Sequence, residues 1–405
     1  MANLMHKAIL TVLFLAVLLP LAGCQTARRP ADTDRFTALW VTRWDFRTEE
    51  DARRAIMNAA EHGFTDVFWQ VRGQADAFYQ SRLEPWGEEI ARTFPDGVPD
   101  TFDPLRAAVD EGRRRSVRVH AWVNVMPLWR GTTPPADPSH PWHTRPEWRL
   151  YDREGNFQAL NNHYVIANPV LDSVHDHIVD VCRDLVRRYD IAGVHLDYVR
   201  FVADTMADQT VYPSDPVSMR LFELATGRTE FSSQADLDAR SEWITTRITD
   251  LVRRIRRETQ RARPGVELTA AVWRLPEIGR ERYMQEGVRW LNDGLVDKLT
   301  PMIYTEDDER FMSDLRSWQR QTGRDASRVV AGLGVYQHKS PQRTVAQMEF
   351  AGEGRRHALF AYASLFESPN PGQDRTDEAK RLREQMREAV RRMHAQRTSR
   401  PAGRV

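Results

Sequence analysis

The nine residues Gly193-Val194-His195-Leu196-Asp197-Tyr198-Val199-Arg200-Phe201 concentrate the chemistry of this chain. Short apolar residues make a buried strand, and the strand ends in Asp, Tyr and Arg. A carboxylate at the carboxyl end of a parallel strand is where an α/β barrel places its reacting groups. Cleavage of a glycosidic link needs two carboxyls: one protonates the leaving oxygen, and the other attacks the anomeric carbon or activates water. Asp197 is the first candidate for that pair. The run Thr305-Glu306-Asp307-Asp308-Glu309 supplies candidates for the second. Glu306 shares the parity of Met302 and Tyr304, while Asp307, Asp308 and Glu309 also suit the first turn of a helix. Asp45 is an outside candidate.

Strand alternation sorts the remaining residues. Phe68, Gln70 and Arg72 share one face, as do His120, Trp122 and Asn124. His195 lies one layer below Asp197, and Gly332, Gly334 and Tyr336 line another edge. Acids, amides, indoles and phenols suit a sugar, which has C–H faces to stack and a rim of hydroxyls to bind. The chain has twelve tryptophans, and Trp44, Trp86, Trp122, Trp129, Trp142, Trp148 and Trp273 fall in or beside carboxyl-end segments. A metal site is the competing chemistry, and His120, His163 and His195 with Asp197 could be assembled into one on paper. Neither HExxH nor paired-cysteine spacing occurs, so no metal or other cofactor is expected. There is no G-x-S-x-G elbow for a serine hydrolase.

These residues need a scaffold with eight strands. Strand patterns fall at 38–41, 67–71, 117–123, 193–196, 268–272, 298–304, 329–333 and 358–361. Helical patterns fall at 49–62, 104–115, 171–189, around Ile244 to Ile255, around 283–292 and at 377–393. Gly63 stands where a helix ends. Eight strands alternating with helices predict an α/β fold, a TIM-like (β/α)8 barrel. Long loops are expected after the second, third and fourth strands, at 72–102, 126–170 and 202–239, on the face that would carry the cleft. A doubly wound sheet is the competitor, but no glycine-rich phosphate loop follows the first strand.

The ends of the chain read differently. An apolar run from Ala8 to Leu19 precedes Leu21-Ala22-Gly23-Cys24, a lipobox-like pattern. It predicts a lipoprotein signal over 1–23, lipidation at Cys24 and a tether through residue 34. Gln25 points to the outer membrane if there are two. The barrel is expected over 35–395 and a disordered basic tail over 396–405. Formal net charge is +1 over 405 residues, so no global field favours nucleic acid. Cys182, on an apolar helix face, reads as a buried, inert thiol.

In this setting Ala38-Leu39-Trp40-Val41-Thr42-Arg43-Trp44 resembles the opening strand of the glycosyl-hydrolase-like 10 family. Val71-Arg72-Gly73-Gln74-Ala75-Asp76-Ala77, Ala121-Trp122-Val123-Asn124, Ala167-Asn168-Pro169, the GVHLDYVRF stretch, Val272-Trp273-Arg274 and Pro301-Met302-Ile303-Tyr304 follow in order. The resemblance spans about Arg35 to Phe366. It implies a TIM-like barrel, a cell-envelope location and hydrolysis of a polysaccharide, with peptidoglycan glycan strands as one substrate. By position it makes Asp197 the central carboxylate, with Arg43, Gln70, Arg72, Asn124, Asn168, Tyr198, Arg200, Trp273 and Tyr304 around it. The chain departs from the family pattern at Phe201-Val202 and at Thr305-Glu306. A non-catalytic glycan-binding lipoprotein on an inactive barrel is the alternative.

Overall fold

Ten strands organise the chain in a computed structural model that describes residues 35–201, 210–352 and 356–398. In order they are β1 Phe36–Val41, β2 Asp66–Arg72, β3 Arg118–Asn124, β4 Pro127–Arg130, β5 Tyr164–Ile166, β6 Gly193–Asp197, β7 Glu267–Val272, β8 Lys298–Ile303, β9 Ala331–Gly334 and β10 Arg356–Phe360. Eight of them close a parallel barrel in the order β1-β10-β9-β8-β7-β6-β3-β2, with helices between. This is the TIM-like (β/α)8 barrel that the alternation predicts. The expected signal segment, Cys24, the tether and most of the basic tail lie outside the described residues.

The barrel strands are covered on both faces, which is why they read as short apolar runs. Leu39, Val41, Val67, Trp69, Val119, Ala121, Val194 and Leu196 face outward into one large cluster shared with the helices. Phe36, Ala38, Trp40, Phe68 and Trp122 fill the barrel itself. Gly332 on β9 leaves room for Trp40: a Cβ there would stand 3.1 Å from its ring and 2.9 Å from the Pro301 carbonyl oxygen. The Trp40 indole N–H donates to His195 Nε2 at 3.2 Å, inside the barrel. Trp40→Phe removes that donor and leaves a buried acceptor unmatched. It is expected to destabilise the fold by about 2 kcal/mol, read as a lower denaturant midpoint.

Local signals set the helix ends. Thr48 and Asp51 form a reciprocal cap for the helix Glu49–Glu61, and Gly63 follows with φ +75°. Asp103 caps Pro104–Arg115, with Pro at its first position. Cys182 is buried in the helix Asp172–Arg188, and burial pushes its thiol up to about 12.

Several boundaries differ from the sequence reading. The helix expected around 283–292 is two short helices, Pro276–Tyr283 and Gly287–Asn292, broken at Met284 with φ +51°. The segment expected as a loop over 202–239 contains the helix Pro216–Thr226, and its end belongs to the helix Gln234–Ala262. The Ser233–Asp236 cap starts that helix nearly three turns before the apolar repeat that begins at Ile244, in mostly charged and polar sequence. Within 126–170, β4 and β5 form an antiparallel ribbon, too short to show as alternation. The last helix, Asp377–Thr398, runs into the expected tail.

Candidate active site

Asp197 ends β6, in register with Asn124 at the end of β3. It lies on the interior face of the barrel at the carboxyl rim. Its Oδ1 accepts the Tyr198 backbone N–H at 2.6 Å and lies 3.4 Å from Arg200 Nη1. Burial pushes its carboxyl above the ordinary range, while the Arg200 charge, the Tyr198 N–H and the Trp122 indole pull the other way. The Trp122 indole N–H is buried near Asp197 and favours its charged form. The net result is a carboxyl that takes up a proton more readily than a free Asp.

Aromatic and cationic groups surround it. The Arg200 guanidinium lies 4.1 Å from the Tyr198 ring centroid and 5.8 Å from that of Trp273. Tyr304 stacks on Phe360 at 5.4 Å, and Tyr336 meets both edge-on. Burial and the Asp197 charge hold the Tyr304 phenol well above its ordinary pKa, so it keeps its proton. Tyr336 is 58% exposed and presents an open ring beside this cluster. Trp273 packs on Tyr283 at 4.1 Å, and its backbone N–H is held by Gln285.

On the adjoining arc, Gln70 Oε1 accepts the Arg43 backbone N–H at 2.8 Å. The Arg43 side chain reaches Tyr164 OH, Gln74 Oε1 and Glu89, and lies against the Trp44 ring. A Cβ on Gly73 would overlap this guanidinium, so a larger residue there would displace the Arg43 side chain. Tyr164 meets Tyr198 edge-on at 4.9 Å and so joins the Arg43 group to the Asp197 group.

Other sequence candidates are committed elsewhere. Arg72 is buried against Glu84, with Nε at 2.9 and 3.0 Å from its two oxygens, and also donates to the carbonyls of Asn124, Val125 and Pro127. Asn168 is buried and donates to Ser218 Oγ at 2.8 Å. His195 is enclosed in the barrel. Its Nε2 accepts from Trp40, its Nδ1 meets Thr269 Oγ1 at 2.8 Å, and its ring stacks on Phe68 at 3.7 Å. Burial holds it neutral, far below the ordinary histidine pKa. Asp45 caps its own turn, accepting from the Thr42 N–H and hydroxyl, each at 2.8 Å. Glu306 is exposed and lies 3.6 Å from Lys339 Nζ. His120 pairs with Asp66 at 2.7 Å, at the opposite end of β2 from Arg72. Among the described residues no three His, Cys, Asp or Glu side chains are grouped to hold a metal.

Sequence reasoning missed Tyr164, Glu89 and Asp76. Tyr164 sits on the unpredicted ribbon. Glu89 sits on a one-turn helix, Glu88–Ala91, which has no periodic signal. Asp76 follows β2 in a tight turn and could have been found as an acid beside a small-residue run.

The barrel that carries these residues has known relatives. The glycosyl hydrolase-like 10 family model matches residues 36–351. The glycosyl hydrolase DigH of Escherichia coli K12 is 24% identical over 317 residues, covering 72% of this chain and 67% of DigH. The glycosyl hydrolase YngK of Bacillus subtilis is 25% identical over 276 residues, covering 63% of this chain and 47% of YngK. In structure, the glycoside hydrolase domain of PgaB (BpsB) from Bordetella bronchiseptica superposes with a TM-score of 0.56. It is 12% identical, with 84% of this chain and 93% of that domain covered.

Proposed function

The chain belongs to the glycosyl hydrolase-like 10 family, whose fold here is a glycosidase-type barrel, and from that premise we propose that it hydrolyses a cell-envelope polysaccharide. The observation that carries this reading is Asp197, a buried carboxyl with a raised pKa on the inner rim of the barrel, among Trp122, Tyr198, Arg200 and Tyr304. Peptidoglycan glycan strands are the proposed substrate, on the strength of the family resemblance. The names of DigH and YngK support glycosidase chemistry of the same kind.

Asp197 acts as nucleophile or as the base that activates water. Tyr304, which keeps its proton, donates a hydrogen bond to a sugar hydroxyl or to Asp197 itself. Tyr336, Trp273 and Tyr198 offer ring faces to the sugar, and Arg200, Asn124 and Gln70 offer polar contacts. The lipobox-like Leu21-Ala22-Gly23-Cys24 supports anchoring to a membrane through acylated Cys24. Among the described residues no helix is long and apolar enough to cross a membrane.

Incubating the protein with purified cell-wall glycan, with and without stem peptides, and weighing the released fragments tests the activity. Tyr336→Ala is expected to raise KM for the glycan about 3- to 10-fold with kcat unchanged, because it removes one exposed stacking ring. A second reading is a glycan-binding protein without catalysis. It draws on Glu306, which is exposed beside Lys339. Tight glycan binding with no fragments released would favour it.

A further inference from the structure

Among the described residues, four other than glycine have left-handed backbone: Ala75 at φ 59°, Ser116 at 58°, Tyr198 at 48° and Met284 at 51°. Ser116 and Met284 end helices, where that conformation is ordinary. Ala75 and Tyr198 end no helix. Tyr198 follows Asp197, and Ala75 precedes Asp76. Backbone held in this region away from caps concentrates at working sites.

Asp76 is buried. Its Oδ1 accepts the backbone N–H groups of Gly73 at 3.2 Å and Gln74 at 2.8 Å. Its Oδ2 is buried with no hydrogen-bond partner. A buried carboxylate oxygen without a donor is costly, and a proton on it relieves the cost. The turn that carries Asp76 adjoins the Asp197 group on two sides. On one side Arg43, packed over Gly73, bonds to Tyr164, which meets Tyr198. On the other, Asn124 Nδ2 donates to the Gly73 carbonyl at 3.0 Å, and its Oδ1 is likewise buried without a partner. The ends of β2 and β6 stand on either side of β3, two strand spacings or roughly 9.6 Å apart.

We propose that Asp76, in place of Glu306, is the second carboxyl of the hydrolytic pair and protonates the leaving oxygen. This rests on the reading of Asp197 as the central carboxylate of a glycosidase. Asp76 gives its proton to the glycosidic oxygen as that oxygen's bond to the anomeric carbon breaks, and the electron pair leaves with the oxygen. Water attacks the same carbon, and Asp197 takes the proton that water releases. Exchange of one proton with solvent restores both groups. Burial pushes the Asp76 carboxyl up to about 6, with Glu89 adding to the shift and Arg43 opposing it. Activity that needs this proton is lost as pH rises through that value.

The test compares kcat/KM of the full-length protein and its Asp76→Asn, Glu306→Gln and Asp197→Asn variants on two probes. One is peptide-free peptidoglycan strands, and the other is a 2,4-dinitrophenyl glycoside of their disaccharide, whose leaving group needs no proton. Asp76→Asn is expected to lose about 10²- to 10⁴-fold on the strands and less than about 10-fold on the activated glycoside. It should also lose the basic limb of the pH profile. The ratio between the probes does not depend on how much of a preparation is folded. Equal losses on both probes, full activity of Asp76→Asn on the strands, or the same leaving-group dependence in Glu306→Gln would overturn the assignment. A wild-type protein that cleaves neither probe overturns the glycosidase reading, and the assignment with it.

Discussion

Asp197→Asn is expected to reduce glycan cleavage by about 10³- to 10⁴-fold, about 4 to 5.5 kcal/mol in the barrier, with the fold retained. The amide has the shape of the carboxylate, and its oxygen still accepts the Tyr198 N–H that Oδ1 accepts at 2.6 Å. What disappears is the charge that attacks or deprotonates. The contact with Arg200, one nitrogen at 3.4 Å, is too long to hold the strand end by itself. Unfolding curves of the variant and the wild type should therefore coincide within about 1 kcal/mol, while fragment release separates them. Loss of both fold and activity would make Asp197 a structural residue.

Arg72→Ala carries the largest expected effect on stability, about 3–5 kcal/mol. Both partners of the Arg72–Glu84 pair are buried, with 3% and 0% of their side chains exposed. Removing the guanidinium strands the Glu84 charge and leaves carbonyls of residues 124, 125 and 127 without their donor. His177 Nε2, at 2.9 Å from Glu84, can compensate only in part. The pair ties the segment after β2 to the end of β3, so the same change should loosen the rim near Asn124. Chemical denaturation measures the loss, and a shift under about 1 kcal/mol would show that the pair is dispensable.

Arg72 also shows where sequence and structure part. Parity puts Gln70 and Arg72 on one face of β2, but the register with β3 slips between them, pairing Gln70 with Trp122 and Arg72 with Val123, so alternation fails at the strand end. Asn168 and His195 illustrate a second limit. Both are polar residues in apolar surroundings, and their partners, Ser218 and the pair Trp40 and Thr269, come from distant parts of the chain. The eight barrel strands were legible because burial on both faces writes itself as short apolar runs between amphipathic helices. The Asp197 position was legible because a polar cluster ends one such run. The turn at Asp76 and the ribbon that carries Tyr164 were not, since a few residues held by tertiary contacts leave no period to read. Glu306 passed the parity test, but β8 ends at Ile303, so alternation no longer governs three residues later.

The most direct test runs the wild-type protein on peptide-free peptidoglycan strands in water enriched in oxygen-18 and weighs the products. Hydrolysis centred on Asp197 predicts one heavy oxygen at each new reducing end, and none released by Asp197→Asn. Fragments without the label, or labelled fragments from Asp197→Asn at the wild-type rate, would contradict the account.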